Sequence, residues 1–369
     1  MKIAQIAPLM ESVPPRFYGG TERIVSYLTE ELVQLGHDVT LFASGDSVTS
    51  AELVPCTSQA LRLDPDVRDV IPYYMVMLDK VNERAKEFDV LHFHVDFFHF
   101  PMFRSRGTQI FTTLHGRQDL RDIKPFYARF ADMPLISISD DQRKPLPHAN
   151  FAATIHHGIP ANLLSPRFES GSYVAFLGRI SPEKRPDRAI RIARAAGVPL
   201  KIAAKVDKVD ETYFRDVIAP LIEGGGVEFV GEINEREKSK FLGEAAALLF
   251  PIDWPEPFGL VMIEAMACGT PVLAFRGGSI PEIVDEGITG RVVESEDQAV
   301  AALEQIMAYD RRAVRQRFEQ RFTAARMARD HVALYGARTR KLATDVLEPR
   351  ALPPHLELVD DNGLTARVC

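Results

Sequence analysis

A chain of 369 residues with 46% hydrophobic and 26% charged residues and a mean hydropathy of −0.08 is long enough for two globular domains and too apolar for extensive disorder. The net charge is −7, and neither half is basic: 16 Lys and Arg stand against 20 Asp and Glu before residue 165, and 28 against 31 after it. That balance excludes a polybasic nucleic-acid or membrane-surface protein.

No apolar run approaches the roughly 20 residues that span a bilayer. The opening MKIAQIAPLM has no long apolar core or cleavage site, and the three cysteines, Cys56, Cys268 and Cys369, are widely spaced and odd in number. These features predict a cytoplasmic protein without an export signal, an integral membrane segment or a disulfide framework. No sustained heptad pattern specifies an oligomer.

Ile3–Ala7 reads as a buried strand, followed by a loop rich in Pro and Gly. Ile24, Val25, Leu28, Leu32 and Leu35 then recur at helical spacing, with Thr21 as the expected cap and Gly36 as the stop. Val39–Ala43 is the next strand, so the chain opens with a βαβ unit and a parallel sheet. A helix over 73–86 and strands at 90–93, 109–113 and 134–138 continue a first domain to about residue 165. A second cycle begins at Tyr173–Gly178. Helices are expected at 186–196, 212–221, 235–246 and 259–267, alternating with strands at 200–204, 227–230, 247–250, 271–274 and 290–293. The predicted fold is α/β: two Rossmann-like, doubly wound parallel sheets facing each other across a cleft. Residues 297–344 read as one nearly continuous helix whose many arginines form a solvated face. From residue 345 an extended tail is expected. The domain reading is 1–165, 166–335 and a helix end plus tail over 336–369 that packs back on the first domain.

In parallel sheets ligands collect beyond the carboxyl ends of the strands, and the densest motifs fall there. In Trp254-Pro-Glu-Pro-Phe-Gly-Leu-Val-Met-Ile-Glu264, Glu256 precedes a helix and Glu264 lies within it. The backbone N–H groups of Phe258, Gly259 and Leu260 make an anion site at the helix start, strengthened by the helix dipole, while the two carboxylates can accept hydrogen bonds from sugar and ribose hydroxyls. A second motif, Gly178-Arg179 with Lys184, follows the first strand of the second domain. It places a guanidinium and an ammonium where a diphosphate leaving group needs neutralising. His92, His94, Asp96 and His99 carry side chains that could ligate a metal, but alternation along the strand favours cleft lining, with His94 and Asp96 on the acceptor side. Asp64-Pro-Asp66 is an Asp-x-Asp match isolated in a Pro-containing loop. No metal site is assigned.

These stretches, with Tyr18-Gly19-Gly20-Thr21-Glu22, Thr113-Leu-His115-Gly116 and Cys268-Gly-Thr-Pro-Val, resemble retaining glycosyltransferases of family 4, which have the GT-B fold. The resemblance implies that Arg179 and Lys184 contact the donor diphosphate, that Glu264 holds the ribose, and that Glu256 holds hydroxyls of the transferred sugar. It places Gly19 and Gly20 near the phosphates from the opposite domain, and His115 beside the sugar ring. Val230 and its neighbours up to Ile233 are expected near the nucleotide base. The implied donor is a nucleoside-diphosphate sugar, UDP-sugar foremost with GDP- and ADP-sugars as alternatives, and the implied acceptor a saccharide or small molecule. No cofactor is required. Where relatives commonly carry Asn before Gly in the turn after the first domain, this chain has His156-His157-Gly158. A nucleotide-sugar epimerase, a phosphorylase and an inactive binding protein are the competing readings.

Overall fold

The computed structural model describes residues 1–16 and 19–347, with side chains to residue 337. The first lobe contains β1 (Lys2–Ile6), α1 (Gly20–Gln34), β2 (Asp38–Ser44), β3 (Glu52–Thr57), α2 (Ile71–Arg84), β4 (Val90–Phe93), α3 (Phe100–Phe103), β5 (Gln109–Thr113), α4 (Ile123–Arg129), β6 (Leu135–Ser137) and β7 (Phe151–Thr154). The second contains β8 (Tyr173–Arg179), α5 (Pro186–Ala195), β9 (Leu200–Lys205), α6 (Glu211–Tyr213), a π-helical turn at Phe214–Ile218, α7 (Ala219–Glu223), β10 (Val227–Gly231), α8 (Glu235–Gly243), β11 (Ala245–Phe250), α9 (Leu260–Ala267), β12 (Val272–Phe275), α10 (Ile280–Ile283) and β13 (Gly290–Val293). Three helices follow: α11 (Glu296–Met307), α12 (Arg311–Arg321) and α13 (Ala324–Leu347).

The seven-stranded sheet runs β3-β2-β1-β4-β5-β6-β7 and the six-stranded one β10-β9-β8-β11-β12-β13. Every pairing is parallel. In both sheets the strand order reverses at the first strand of the lobe. This opens a crevice at the carboxyl ends of β1 and β4 in one sheet and of β8 and β11 in the other.

Helix α1 buries Ile24, Val25, Leu28 and Leu32, as its periodicity requires. Gly19 rather than Thr21 occupies the cap position, and no side chain caps the helix. Gly36, at φ +83°, ends it.

The expected single arginine-rich helix is instead three. Asp310 caps α12 by accepting from the N–H of Arg312 at 2.9 Å. Phe322 and Thr323 then leave helical geometry to bridge Ile159: the Ile159 N–H donates to the Phe322 carbonyl at 3.0 Å and the Ala324 N–H to the Ile159 carbonyl at 2.8 Å. Gly158 is required there, since a Cβ would lie 2.5 Å from the carbonyl carbon of Thr323. Only some of the arginines form a solvated face: Arg312 and Arg329 are exposed, whereas Arg311 is buried and Arg326 half-buried. Arg311 is 4% exposed and donates to the carbonyls of Arg167, Ala245 and Gly243 and to Thr270 Oγ1 at 2.7–2.8 Å. Arg326 donates to the carbonyls of His156 and His157.

The chain thus crosses between the lobes twice. Helix α13 lies on the first lobe, where Met327, Ala328 and Tyr335 share a core with Ile3, Ile24, Phe111 and Ile136. The expected tail lies outside the described residues from 348 onward. Among the described residues no helix is long and apolar enough to cross a membrane.

Candidate active site

Between the lobes lies a cleft of about 1190 Å³. Its second-lobe wall is built around the start of α9. Strand β11 delivers the chain to the Trp254–Gly259 loop, and Gly259, at φ +82°, turns it into the helix without a side-chain cap. The first-turn N–H groups of Leu260 and Val261 have no preceding carbonyls to bond, and both residues line the cleft with Phe258 and Gly259.

Glu256, 8% exposed, is fixed from both ends. Its carbonyl accepts the N–H of Ser279 at 2.9 Å. Its Oε2 accepts Trp254 Nε1–H at 2.9 Å and pairs with Lys184 Nζ. The turn beneath it contains Gly278 at φ +55°, where a Cβ would stand 2.5 Å from the Glu256 nitrogen and closer still to its carbonyl oxygen. Lys184 ends a single 3-10 turn after β8 and lies 4.8 Å from the Trp254 ring centroid, which leaves the ammonium between a carboxylate and an aromatic face. Arg179, the last residue of β8, reaches Glu183 at 3.1 Å and Asp207 at 3.7 Å. Glu264, buried on α9, accepts from Lys238 Nζ at 2.7 Å.

The first-lobe wall comes from the β1–α1 loop and the end of β5. Gly19, Gly20 and Arg23 face the start of α9. A Cβ at Gly20 would meet only Leu260 Cδ1, at 3.9 Å, so protein packing alone does not demand glycine there. Arg23 spans the cleft to pair with Glu235 on α8. His115 lines the cleft just beyond the end of β5. Its ring stacks on His157 with centroids 5.2 Å apart, and His157 meets Phe258 edge-on at 5.0 Å. Burial pushes the His115 pKa down to about 3 and His157 well below the usual histidine range, so both are neutral. His157 also lines the cleft, packed between His115 and Phe258.

Gly19, Gly20, His115, Arg179, Lys184, Glu256, Phe258, Gly259, Leu260 and Glu264 all line this one cleft. Val230 does not. It stands exposed on β10, the edge strand, where alternation turns it outward, and Glu232 and Ile233 line the cleft in its place. His94 lies buried behind His115, and Asp96, held at φ +49° just past β4, is outside the lining. Asp64 and Asp66 form a turn away from the cleft, in which Asp64 Oδ1 accepts the Asp66 N–H at 3.0 Å. Among the described residues no group of three or more His, Cys, Asp or Glu side chains could hold a metal.

Sequence reasoning missed Arg23, Lys238 and Glu235. Arg23 directly follows the Gly-Gly motif and could have been read with it. Lys238 carries only the signal of the Asn234/Glu237 capping box that starts its helix. Counted over the lining, eight Lys and Arg face five Glu, a local positive excess in a chain of net charge −7. Low-dielectric walls focus such a field on an anionic ligand.

The family model described as "Glycosyltransferase Family 4" matches residues 18–170, and "Glycosyl transferases group 1" matches residues 165–323. Among curated relatives, the D-inositol 3-phosphate glycosyltransferase of Mycolicibacterium paratuberculosis is 30% identical over 187 residues, 45% of this chain and 42% of that protein. The Streptomyces coelicolor protein of the same name is 30% identical over 42% of this chain and 35% of its own length. The matched region thus spans less than half of either relative.

Solved structures agree in fold. AviGT4, a glycosyltransferase involved in avilamycin A biosynthesis, superposes with a TM-score of 0.69 at 22% identity over 93% of this chain and 98% of its own. Sucrose-phosphate synthase from Thermosynechococcus elongatus gives 0.74 at 20% identity over 93% and 99%. Anabaena HepE in complex with UDP and glucose gives 0.67 at 19% identity over 91% and 100%. Two matching models that meet near residue 170 and a shared two-lobe architecture lead to one assignment: the chain belongs to the family 4, group 1 glycosyltransferases and has the GT-B fold.

Proposed function

We propose that the enzyme is a retaining hexosyltransferase that moves a sugar from a nucleoside-diphosphate donor, UDP-sugar foremost, to a hydroxyl of a saccharide or small-molecule acceptor. The donor sits on the second lobe and the acceptor on the first. The observation that carries this reading is the convergence of the uncapped start of α9 with Arg179 and Lys184 in one cleft, a diphosphate site of fixed dipoles and permanent charges. HepE, with UDP and glucose bound in the same fold, supports the UDP preference.

Each acid is paired with a cation: Lys184 on Glu256 and Lys238 on Glu264. A diphosphate would draw Lys184 toward itself and free Glu256 to accept hydroxyls of the transferred sugar, while Glu264 takes the ribose. His115 and the main chain at Gly19 and Gly20 close the site from the first lobe. The acceptor hydroxyl attacks the anomeric carbon on the face from which the diphosphate leaves. The bond from C1 to the phosphate oxygen breaks, the bond from C1 to the acceptor oxygen forms, and the acceptor proton passes to the departing phosphate oxygen. Amides and cations stabilise the negative charge that grows on the leaving group. No carboxylate nucleophile is needed.

Incubation with UDP-, GDP- and ADP-sugars and a panel of acceptors, followed by NMR of the product's anomeric centre, tests the reading. A product with the donor's anomeric configuration is expected. An inverted product, or nucleotide-sugar isomerisation without nucleotide release, contradicts it.

A further inference from the structure

Behind His115 runs a chain of buried polar side chains that the transfer reading leaves unused. His115 Nε2 lies 2.9 Å from His94 Nδ1, and His94 Nε2 lies 2.8 Å from Gln5 Oε1. The other end of the same carboxamide, Gln5 Nε2, is 3.5 Å from His92 Nδ1. That nitrogen also lies 2.7 Å from the Tyr335 hydroxyl, and His92 Nε2 lies 2.7 Å from Thr113 Oγ1. Gln5, His92 and His94 are at most 4% exposed. They come from β1, from β4 and from just past its end.

An amide oxygen only accepts and an amide nitrogen only donates, while a neutral imidazole has one of each. With its oxygen toward His94, Gln5 accepts from His94 Nε2–H. His94 Nδ1 is then a bare lone pair, so the shared bond must be donated by His115 Nε2–H, and His115 Nδ1 carries no proton. That Nδ1 is shielded from solvent and has no partner within the protein. Turning the Gln5 amide over would invert every bond in the chain and leave His115 with a buried N–H lacking an acceptor. A buried donor without a partner is the costlier and rarer defect, so the first orientation is favoured. The unpartnered nitrogen belongs to a residue that lines the cleft, and only a group bearing a proton can complete it.

We propose that Gln5 and His94 are positioning residues that lock His115 in its Nε2–H tautomer, so that His115 meets the donor sugar as a hydrogen-bond acceptor for one of its hydroxyls. The inference rests on the reading that the cleft binds a nucleotide sugar. Its first test is independent of that reading. In protein with 15N-labelled imidazoles, long-range proton–nitrogen NMR of the unliganded enzyme should show His115 protonated on Nε2 and bare on Nδ1, with His94 in the same tautomer. A proton on His115 Nδ1 overturns the proposal.

The functional arm compares binding of UDP with UDP-glucose, and of the GDP and ADP pairs, in Gln5→Leu, His94→Leu and His94→Asn. The sugar-dependent gain in affinity should fall about tenfold in the two leucine variants, the worth of one hydrogen bond, while affinity for the nucleotide alone holds. His94→Asn, whose Oδ1 takes the place of Nδ1 and can still accept from His115, should keep the gain. Equal loss of nucleotide and nucleotide-sugar binding, or a Gln5→Leu protein with the wild-type His115 tautomer, contradicts the proposal. Failure of every nucleotide to bind the wild type would refute the donor reading and leave the tautomer result standing.

Discussion

Gly278→Ala is a one-methyl perturbation aimed at the site through its scaffold. Residue 278 sits at φ +55°, a conformation that costs a residue with a Cβ about 1–2 kcal/mol. The new methyl would also stand 2.5 Å from the nitrogen of Glu256, where real Cβ atoms stay beyond 3.0 Å. The Glu256 main chain must therefore retreat by roughly 1 Å, enough to cost about 100-fold in rate when the displaced group contacts the reacting substrate. The same movement breaks the Ser279 N–H bond to the Glu256 carbonyl and loosens the Lys184 and Trp254 contacts on its carboxylate. Transfer kinetics with the identified donor, beside a thermal melt, check this. A drop of about two decades in kcat/KM with Tm lowered by only a few degrees is expected. Wild-type kinetics in Gly278→Ala would refute the claim that this turn positions Glu256.

Arg311→Met should destabilise the second lobe by about 3 kcal/mol, because it strips donors from three buried carbonyls and the Thr270 hydroxyl; a chemical-denaturation series should show it, and a loss below about 0.5 kcal/mol would return Arg311 to the status of a solvated cation. Acid should weaken the first lobe before most carboxylates titrate. Burial holds His92, His94, His99 and His157 well below the usual histidine pKa, His115 at about 3 and His331 at about 4. Between pH 6.5 and about 4 the unfolded chain binds these protons and the folded one does not, so stability is full above pH 6.5 and falls by about 1.4 kcal/mol per pH unit for each such histidine. Urea midpoints from pH 7.5 to 4.5 measure that slope, and a flat profile would contradict it.

Much of the fold is written in local sequence. The α1 periodicity, the alternation of strands and helices, and the Glu256–Glu264 segment each state their structure within 20 residues. Strands β3 and β7 were not legible, because Glu52–Thr57 is half exposed with Pro55 inside it and Phe151–Thr154 is only four half-buried residues at the sheet edge. The break between α12 and α13 was hidden for a related reason: Thr323 leaves helical geometry to meet Ile159, more than 160 residues earlier, and no local window contains that partner; the break between α11 and α12 carried a local signal in its cap, Asp310. Arg311 read as a surface cation because its acceptors are carbonyls, which have no sequence signature. The site's charged residues were legible where a motif carried them, at Arg179, Lys184, Glu256 and Glu264. Lys238 and Glu235 were not, since their place in the cleft follows from how α8 packs beside α9. Val230 itself lies outside the cleft lining, which begins two positions later at Glu232, after Gly231 at φ +83° has turned the chain.

On the proposed reading the cleft grips a pyrophosphate with Arg179, Lys184 and the start of α9. Calorimetric titration of the wild type and of Arg179→Ala/Lys184→Ala with a nucleoside diphosphate and the matching monophosphate measures that grip. The wild type should prefer the diphosphate by about 100-fold or more, as two charge-assisted contacts require, and the double variant should lose most of that preference, keeping only the part that the α9 amides supply. Equal affinity of the wild type for the two nucleotides, or an undiminished preference in the double variant, would contradict it.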